Sequence, residues 1–315
     1  MKSDHQSAKI VQINDHHAGQ RIDNFLLGQL KGVPRSHVYQ LLRSGQVRVN
    51  SGRKKPHYKL KLDDYVRIPP ARINSEQTVM IPDSVIELIE TSILFENEYL
   101  LVLNKPSGIA VHSGSGLAFG VIEALKQQHP EQFLELVHRL DRETSGCLLI
   151  AKNRTTLLWL HELLRDETRS GLGKYYLALV AGHWHGTNTI DAPLKKILRS
   201  GEHMVEINEE GQHATSHFET RKIYPDASLV EVKIDTGRTH QIRVHAAAAG
   251  HPVAGDKKYG DSEFNKVMKK RGLKRLFLHA ARLELPAHTA TSSQALVIEA
   301  PMSPDLQQLL ENLES

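Results

Sequence analysis

The apolar run CLLIAK follows directly on the charged nonamer HRLDRETSG, His138–Gly146, and the junction leaves the chain few options. A run that apolar reads as a buried strand, so the two arginines and the aspartate before it must sit on a connecting loop. The preceding FLELVHRL reads as a strand or short helix leading in. Loops held between rigid elements are where reactive groups usually lie. Asp141, flanked by Arg139 and Arg142, should ionise readily because nearby positive charge favours the carboxylate. That suits a nucleophile or electrostatic stabiliser better than a general acid. An ordinary Asp/Arg ion pair anchoring the loop explains the nonamer equally well.

A second cluster, TGRTHQIRVHAAAAGHP, spans Thr236–Pro252. Thr239 is a suitable N-cap, HQIRVHAAAA is helix-compatible, Gly250 fits the C′ position and Pro252 lies just beyond. Arg238 then precedes a helix and Arg243 lies within it. Between the clusters, GKYYLALVAGHW is a β-rich segment carrying Tyr175 and Tyr176, either of which could simply pack in a sheet. Upstream, YLLVLNKPSGIAVHSGSG has the form of a strand, a turn at Pro106–Gly108 and a Gly/Ser loop. Further helices are expected at 155–168 (TTLLWLHELLRDET) and in the C-terminal DLQQLLENL.

Charge is distributed unevenly. Residues 1–72 hold 14 Lys+Arg against 5 Asp+Glu, whereas residues 73–315 hold 26 against 31. Behind a tail of about 18 residues, GQRIDNFLLGQL reads as an amphipathic helix with Ile22, Phe25, Leu26 and Leu30 inward. SHVYQLLRSG reads as a second helix, capped by Ser36 and ended by Gly45. QVRVN alternates like a strand, SGRKK is a basic turn, and YKLKLDDYVRIPP supplies another alternating strand. Arg35, Arg43, Arg48, Arg53, Lys54 and Lys55 are the candidate phosphate contacts, since cations gathered on one face grip a polyanion in a salt-dependent way. A solvated charged surface is the plainer alternative. Two proline sites and weak periodicity mark residues 73–92 as a linker, leaving 93–315 as a second domain.

The single cysteine, Cys147, excludes an internal disulfide and fits a reducing compartment. No apolar stretch approaches the roughly 20 residues that span a bilayer, and MKSDHQSAK is too polar for a signal peptide, so the expected location is the cytoplasm. Leu140 separates Arg139 from Asp141, and no DFG is present, which excludes the protein-kinase HRD loop. GSGLAFG at Gly114–Gly120 has the wrong spacing for a phosphate-binding loop. The 19 histidines do not form a ligand pattern: His240 and His245 are not an i,i+4 pair, and one cysteine cannot complete a site. No metal is expected.

The segments LVLNKPSG, HRLDRETSG with SGCLLIAK, KYYLALV, TGRTHQIRVH, HPVAGDKKYG and RLFLHAARL, in this order between Leu101 and Leu283, together resemble the RNA pseudouridine synthases of the large-ribosomal-subunit type. The N-terminal module resembles the small RNA-binding domain of ribosomal protein S-four. The resemblance implies an α+β catalytic domain on a mixed, largely antiparallel sheet, with a cleft across its face, preceded by a small α/β RNA-binding domain. It implies a cofactor-free isomerase acting on uridines of 23S ribosomal RNA. Two alternatives stay open: a tRNA substrate, or a ribosome-assembly protein that binds without turnover. By match to the family's motifs, Asp141 is the catalytic residue, Arg243 its salt-bridge partner, and Tyr176 the side chain that packs on the target base and assists proton removal. Arg139 is a wedge for the vacated stack, and Lys105, His138, Arg238 and His240 line the cleft or contact phosphates. Monomer is the default assembly.

Overall fold

In a computed structural model of the chain, residues 8–30, 33, 35–70, 80–114, 118–165, 171–199, 201–289 and 291–314 are described. They fall into two compact units, 1–80 and 81–315. The first contains β1 (Lys9–Gln12), α1 (Ile22–Gln29), α2 (Arg35–Arg43), β2 (Arg48–Val49) and β3 (Tyr65–Ile68). The strands form an antiparallel sheet in the order β1-β3-β2. Ile22, Phe25, Leu26 and Leu30 all face inward, packed with Val38, Leu41 and Leu42 of α2.

Two local expectations for this unit need correction. Helix α2 already begins at Arg35, so Ser36 occupies its first turn instead of capping it. The long strand expected from Tyr58 to Ile68 is reduced to β3, because the Asp64 carboxylate closes a turn before it. Asp64 accepts hydrogen bonds from the Lys61 amide, the Tyr58 hydroxyl and the Asn50 side chain at 2.9, 3.0 and 2.8 Å. Side-chain acceptors of this kind compete with strand pairing.

The second unit runs α3 (Asp83–Glu90), β4 (Ile93–Glu96), β5 (Leu100–Lys105), α4 (Val121–Gln128), β6 (Glu135–Leu136), β7 (Ser145–Ala151), α5 (Arg154–Arg165), β8 (Gly173–Ala181) and β9 (Thr187–Asp191). It continues with β10 (Leu194–Arg199), β11 (Glu202–Ile207), β12 (Thr215–Ile223), β13 (Ala227–Ile234), α6 (Gln241–Ala248), α7 (Ser262–Lys270), β14 (Leu278–Leu285), β15 (Leu296–Glu299) and α8 (Pro304–Glu314). Helix α3 falls inside the stretch expected to be linker. Its apolar residues Val85, Ile86 and Ile89 recur at helical spacing and join the main core, and Pro82 stands at its N-cap instead of marking a flexible segment. The helix expected over 155–168 is α5, and residues 166–168 lie outside those described.

Ten strands form one sheet, in the order β4-β5-β7-β14-β8-β13-β12-β9, with β6 beside β7 and β15 beside β14. Among the described residues the pairings are antiparallel except β7 with β14, which run parallel over two residue pairs and then diverge. The antiparallel strands β6 and β15 take up the edges so released. Every residue of β7 is buried, as a strand covered on both faces requires. Gly146 is obligatory at its start: its φ is +107°, and a Cβ there would lie 2.2 Å from the Ala280 carbonyl oxygen. The hairpin β10–β11 forms a separate two-stranded sheet. Among the described residues, no helix is long and apolar enough to cross a membrane.

Candidate active site

Strand register brings the distant motifs together. Lys105 pairs with Gly146, Gly146 with Ala280, Ala280 with Tyr176, and Tyr176 with Val232, so one row across β5, β7, β14, β8 and β13 runs beside the loop that carries Asp141. That loop is stapled to the Pro106–Gly108 turn. The Gly108 amide donates to the Arg142 carbonyl at 2.8 Å, Arg142 Nε donates to the Gly108 carbonyl at 2.8 Å, and the Ser107 hydroxyl donates to the Glu143 carbonyl at 2.7 Å. Arg142 therefore anchors the loop through backbone oxygens and forms no ion pair with Asp141 among the described residues.

The positive charge beside Asp141 comes instead from α6. Arg243 Nη1 lies 3.4 Å from Asp141 Oδ2. The same guanidinium makes a shorter, two-pronged pair with Asp256, from Nε and Nη2 at 2.7 Å each. Asp256 has a side chain sealed from solvent, and its Oδ1 also accepts from the amides of Lys258 and Tyr259 at 2.8 and 3.1 Å. The expected Asp141–Arg243 pair is thus the outer half of a three-membered chain, Asp256–Arg243–Asp141. A fork-shaped cation held by two parallel bonds on its inner side has little rotational freedom on its outer side. Burial disfavours the charge on Arg243, and the carboxylates of Asp256 and Asp141 more than restore it.

Helix α6 starts at Gln241, with His240 instead of Thr239 at the N-cap and in the left-handed region, φ 55° and ψ 18°. A non-glycine residue held there is strained, and such strain concentrates at functional sites. Gln241 holds the bend in place by accepting from the Thr236 hydroxyl and the Arg238 amide at 2.8 and 3.0 Å. Gly250, with φ +84°, occupies the expected position past the C-terminus.

Asp141, Tyr176, Arg139, Arg238, His240 and Arg243 line one cleft. Tyr176 is nearly buried, and burial followed by the proximity of Asp141 pushes its phenol pKa upward. The phenol therefore keeps its proton and can pack on a base or donate a hydrogen bond. Tyr175 belongs to a different environment: its hydroxyl donates to Glu284 at 3.1 Å and Arg282 lies over its ring at 4.0 Å. Arg139 is exposed at the cleft and also lines a neighbouring groove with Lys195, Lys196 and Arg238. Arg238 is half-buried and donates from Nε to the His213 carbonyl at 2.9 Å.

Two expected cleft residues are turned into the protein. The Lys105 side chain is wholly buried and its ammonium donates to the carbonyls of Pro106, Ile109 and Arg142 at 2.8, 2.8 and 3.2 Å. Burial pushes its pKa down to about 7, against the opposing charges of Glu143 and Asp141. Lys105 fastens the catalytic loop from beneath. Lys105→Met is expected to cost about 2–3 kcal/mol, seen as a lower Tm, because three buried carbonyls lose their donor. RNA affinity in a filter-binding assay should stay within about twofold; a tenfold loss would return Lys105 to the RNA interface. His138 is the second case. Its Nε2 accepts from the Leu149 amide at 3.1 Å, and burial, then Lys174, pushes its pKa down to about 4, so it is a neutral packing residue.

In the first unit Arg43, Arg48, Arg53 and Lys55 are exposed, and half-buried Lys54 lies 4.6 Å above the Tyr58 ring. Arg48 and Arg53 converge on Gly45 at the end of α2, where Arg43 occupies the last turn. Arg48 Nε donates to the Gly45 carbonyl at 3.3 Å, and the Arg53 guanidinium lies where a Cβ on Gly45 would stand. The side chain of Arg35 lies outside the described residues.

Asp256 and Tyr259 are site residues to which the sequence assigns no role. Both lie in HPVAGDKKYG, but nothing in that segment says which residue turns toward Asp141. Among the described residues, no group of three or more His, Cys, Asp or Glu is placed to hold a metal ion.

The family described as RNA pseudouridylate synthase matches residues 99–248, and the S4 domain matches residues 20–66. The chain is 52% identical over 322 residues to ribosomal large subunit pseudouridine synthase C of Salmonella typhi, covering 100% of this chain and 99% of that one. It is 51% identical over 310 residues to the protein of the same name from Pasteurella multocida, covering 97% and 94%. Among solved structures, human RNA pseudouridylate synthase domain containing 4 matches with a TM-score of 0.60 at 25% identity, over 74% of this chain and 96% of that one.

Proposed function

The chain belongs to the RNA pseudouridylate synthase family, and from that premise we propose that it isomerises uridines of 23S ribosomal RNA to pseudouridine, in the cytoplasm, as a monomer without metal or cofactor. The observation that carries this reading is the chain Asp256–Arg243–Asp141, which opens beside Tyr176 into a cleft. In the reaction the N1–C1′ bond breaks, the base turns, and a C5–C1′ bond forms. The proton at C5 is lost and N1 gains one, so nothing is added overall. One carboxylate can therefore suffice, whereas glycoside hydrolysis usually recruits two. Asp141 acts either on the anomeric carbon or on the proton of the adjacent sugar carbon, and both routes use an ionised, oriented carboxylate.

Arg243, 3.4 Å from Oδ2, supplies that orientation. The target base must leave its stack, at a cost of a few kcal/mol in duplex RNA. Tyr176 offers it a ring to pack on, and exposed Arg139 offers a guanidinium plane for the gap left behind. The test is tritium placed on C5 of the uracils in unmodified 23S rRNA. Release to water by the wild-type protein is the expected result. Release from tRNA alone would change the substrate, and release from neither would leave an RNA-binding protein.

Residues 1–72 serve in this proposal as a basic grip on the RNA backbone, and 93–315, together with α3, as the catalytic domain. Replacing Arg43, Arg48 and Arg53 by Gln should weaken RNA binding about equally across sequences. It should also flatten the dependence of log K on log salt by about one for each phosphate no longer gripped. An unchanged salt slope in a titration from low to physiological salt would exclude these side chains from the interface.

A further inference from the structure

The groups around His240 define which atom of Asp141 is held and which is free. Tyr259 stands between β11 and His240: the Val205 amide donates to its hydroxyl at 2.9 Å, and the hydroxyl lies 2.8 Å from His240 Nδ1. On the other side of the ring, His240 Nε2 is 3.7 Å from Asp141 Oδ2. Oδ2 is also the oxygen that faces Arg243. Among the described residues, no side chain or amide partners Oδ1.

A phenol has one proton to give. With a backbone N–H already directed at its oxygen, the Tyr259 hydroxyl is best satisfied by donating to His240 Nδ1. A neutral imidazole that accepts at Nδ1 carries its own proton on Nε2, the nitrogen facing Asp141. We infer that Tyr259 and His240 form a hydrogen-bond relay that presents an N–H to Oδ2 of Asp141, so that Oδ2 is held between His240 and Arg243 while Oδ1 meets the substrate. His240 and Tyr259 are then positioning residues, and the inference rests on Asp141 as the reacting carboxylate.

The surroundings support it. Burial lowers the pKa of His240, with Arg243 and Lys258 adding to the effect and Asp141 and Asp256 opposing it, so the ring stays neutral. Burial also raises the pKa of Tyr259, which keeps the proton the relay needs. Lys258, the second cation that acts on His240, is turned to the His203 carbonyl at 3.1 Å and lies 3.8 Å from Glu202. His240 stands at the N-cap in a left-handed backbone conformation and makes no side-chain bond to the first amides of α6, where a cap side chain usually bonds. A 3.7 Å separation is long for a hydrogen bond, and catalytic contacts of this kind shorten when substrate binds.

The test uses the full-length protein labelled with ¹⁵N-histidine, with the His240 signals assigned by their loss in His240→Gln. The wild type should show the nitrogen shifts of the Nε2–H tautomer, and Tyr259→Phe should move them toward the other tautomer. Against 23S rRNA, Tyr259→Phe and His240→Gln should each lower kcat about 10- to 100-fold with KM within about twofold. The double variant should be no worse than the poorer single one, because both act through one contact. His240→Gln, which keeps an N–H near the ε position, should exceed His240→Ala. An Nδ1–H tautomer in the wild type, or additive losses in the double variant, would overturn the relay. Full activity in Asp141→Asn would instead overturn the assignment of Asp141, which the histidine spectra do not touch.

Discussion

Replacing Asp141 by Asn is expected to abolish tritium release from 23S rRNA, a loss of at least about 10³-fold, while RNA affinity stays within a few fold. The asparagine is isosteric, so the cleft keeps its shape. Arg139 and Arg238 keep their charges. What disappears is the charge opposite Arg243. That guanidinium does not become an orphan, since its two shorter bonds run to Asp256, which is why the variant should fold normally. Thermal unfolding should therefore move by no more than about 1 kcal/mol equivalent. The comparison that matters is between turnover and binding in one preparation. Equal, large losses of both would indicate that Asp141 anchors the loop, the plainer explanation of the nonamer, and would remove it from the chemistry.

How much of this site is legible in the sequence depends on whether a residue's role is local. The charged loop before a buried strand, the inward face of α1, and Gly250 beyond α6 follow from spacing within a dozen residues, and all of them appear in the structure. Lys105 departs from expectation because its burial is decided by register: pairing with Gly146 turns it beneath the loop, among carbonyls that belong to three different residues. His138 departs for a similar reason, its ring being taken up by the Leu149 amide of the neighbouring strand. Asp23 carries a buried carboxylate that binds Arg21 and Tyr39, a link between α1 and α2 that a helical pattern of apolar residues does not reveal. Helix α3 is hidden because eight residues flanked by proline and polar filler give periodicity too little length to register. Arg243 follows from its motif but its strongest contact does not, since Asp256 reaches it from a loop beyond the helix.

Asp256→Ala is expected to be the most damaging single change outside the reacting carboxylate. It leaves Arg243 buried with Asp141, at 3.4 Å, as its one carboxylate partner among the described residues, and breaking a buried pair from one side typically costs about 3–5 kcal/mol. It also strips the amides of Lys258 and Tyr259 of their acceptor, so the loop that carries Tyr259 loses its anchor. Burial alone would raise the Asp256 pKa, but the Arg243 pair outweighs it and the net shift is downward. A carboxyl depressed in the folded state stabilises the protein above its ordinary unfolded pKa, and the contribution is lost as pH falls through the lower, folded value. Chemical denaturation should accordingly show the gap between wild type and Asp256→Ala wide at pH 7 and narrowing in acid below about pH 4. Turnover should fall as well, by about 10²-fold at a temperature where the variant is folded, because a guanidinium without its inner clamp no longer fixes the carboxylate it faces. Asp256→Asn separates the two effects: the amide oxygen can still accept from Lys258 and Tyr259, so stability should partly recover while turnover stays low. A gap that does not change with pH would show that Asp256 is not held as a charged partner of Arg243. Full turnover in both variants would show that the fork on Arg243 stabilises the fold without orienting Asp141.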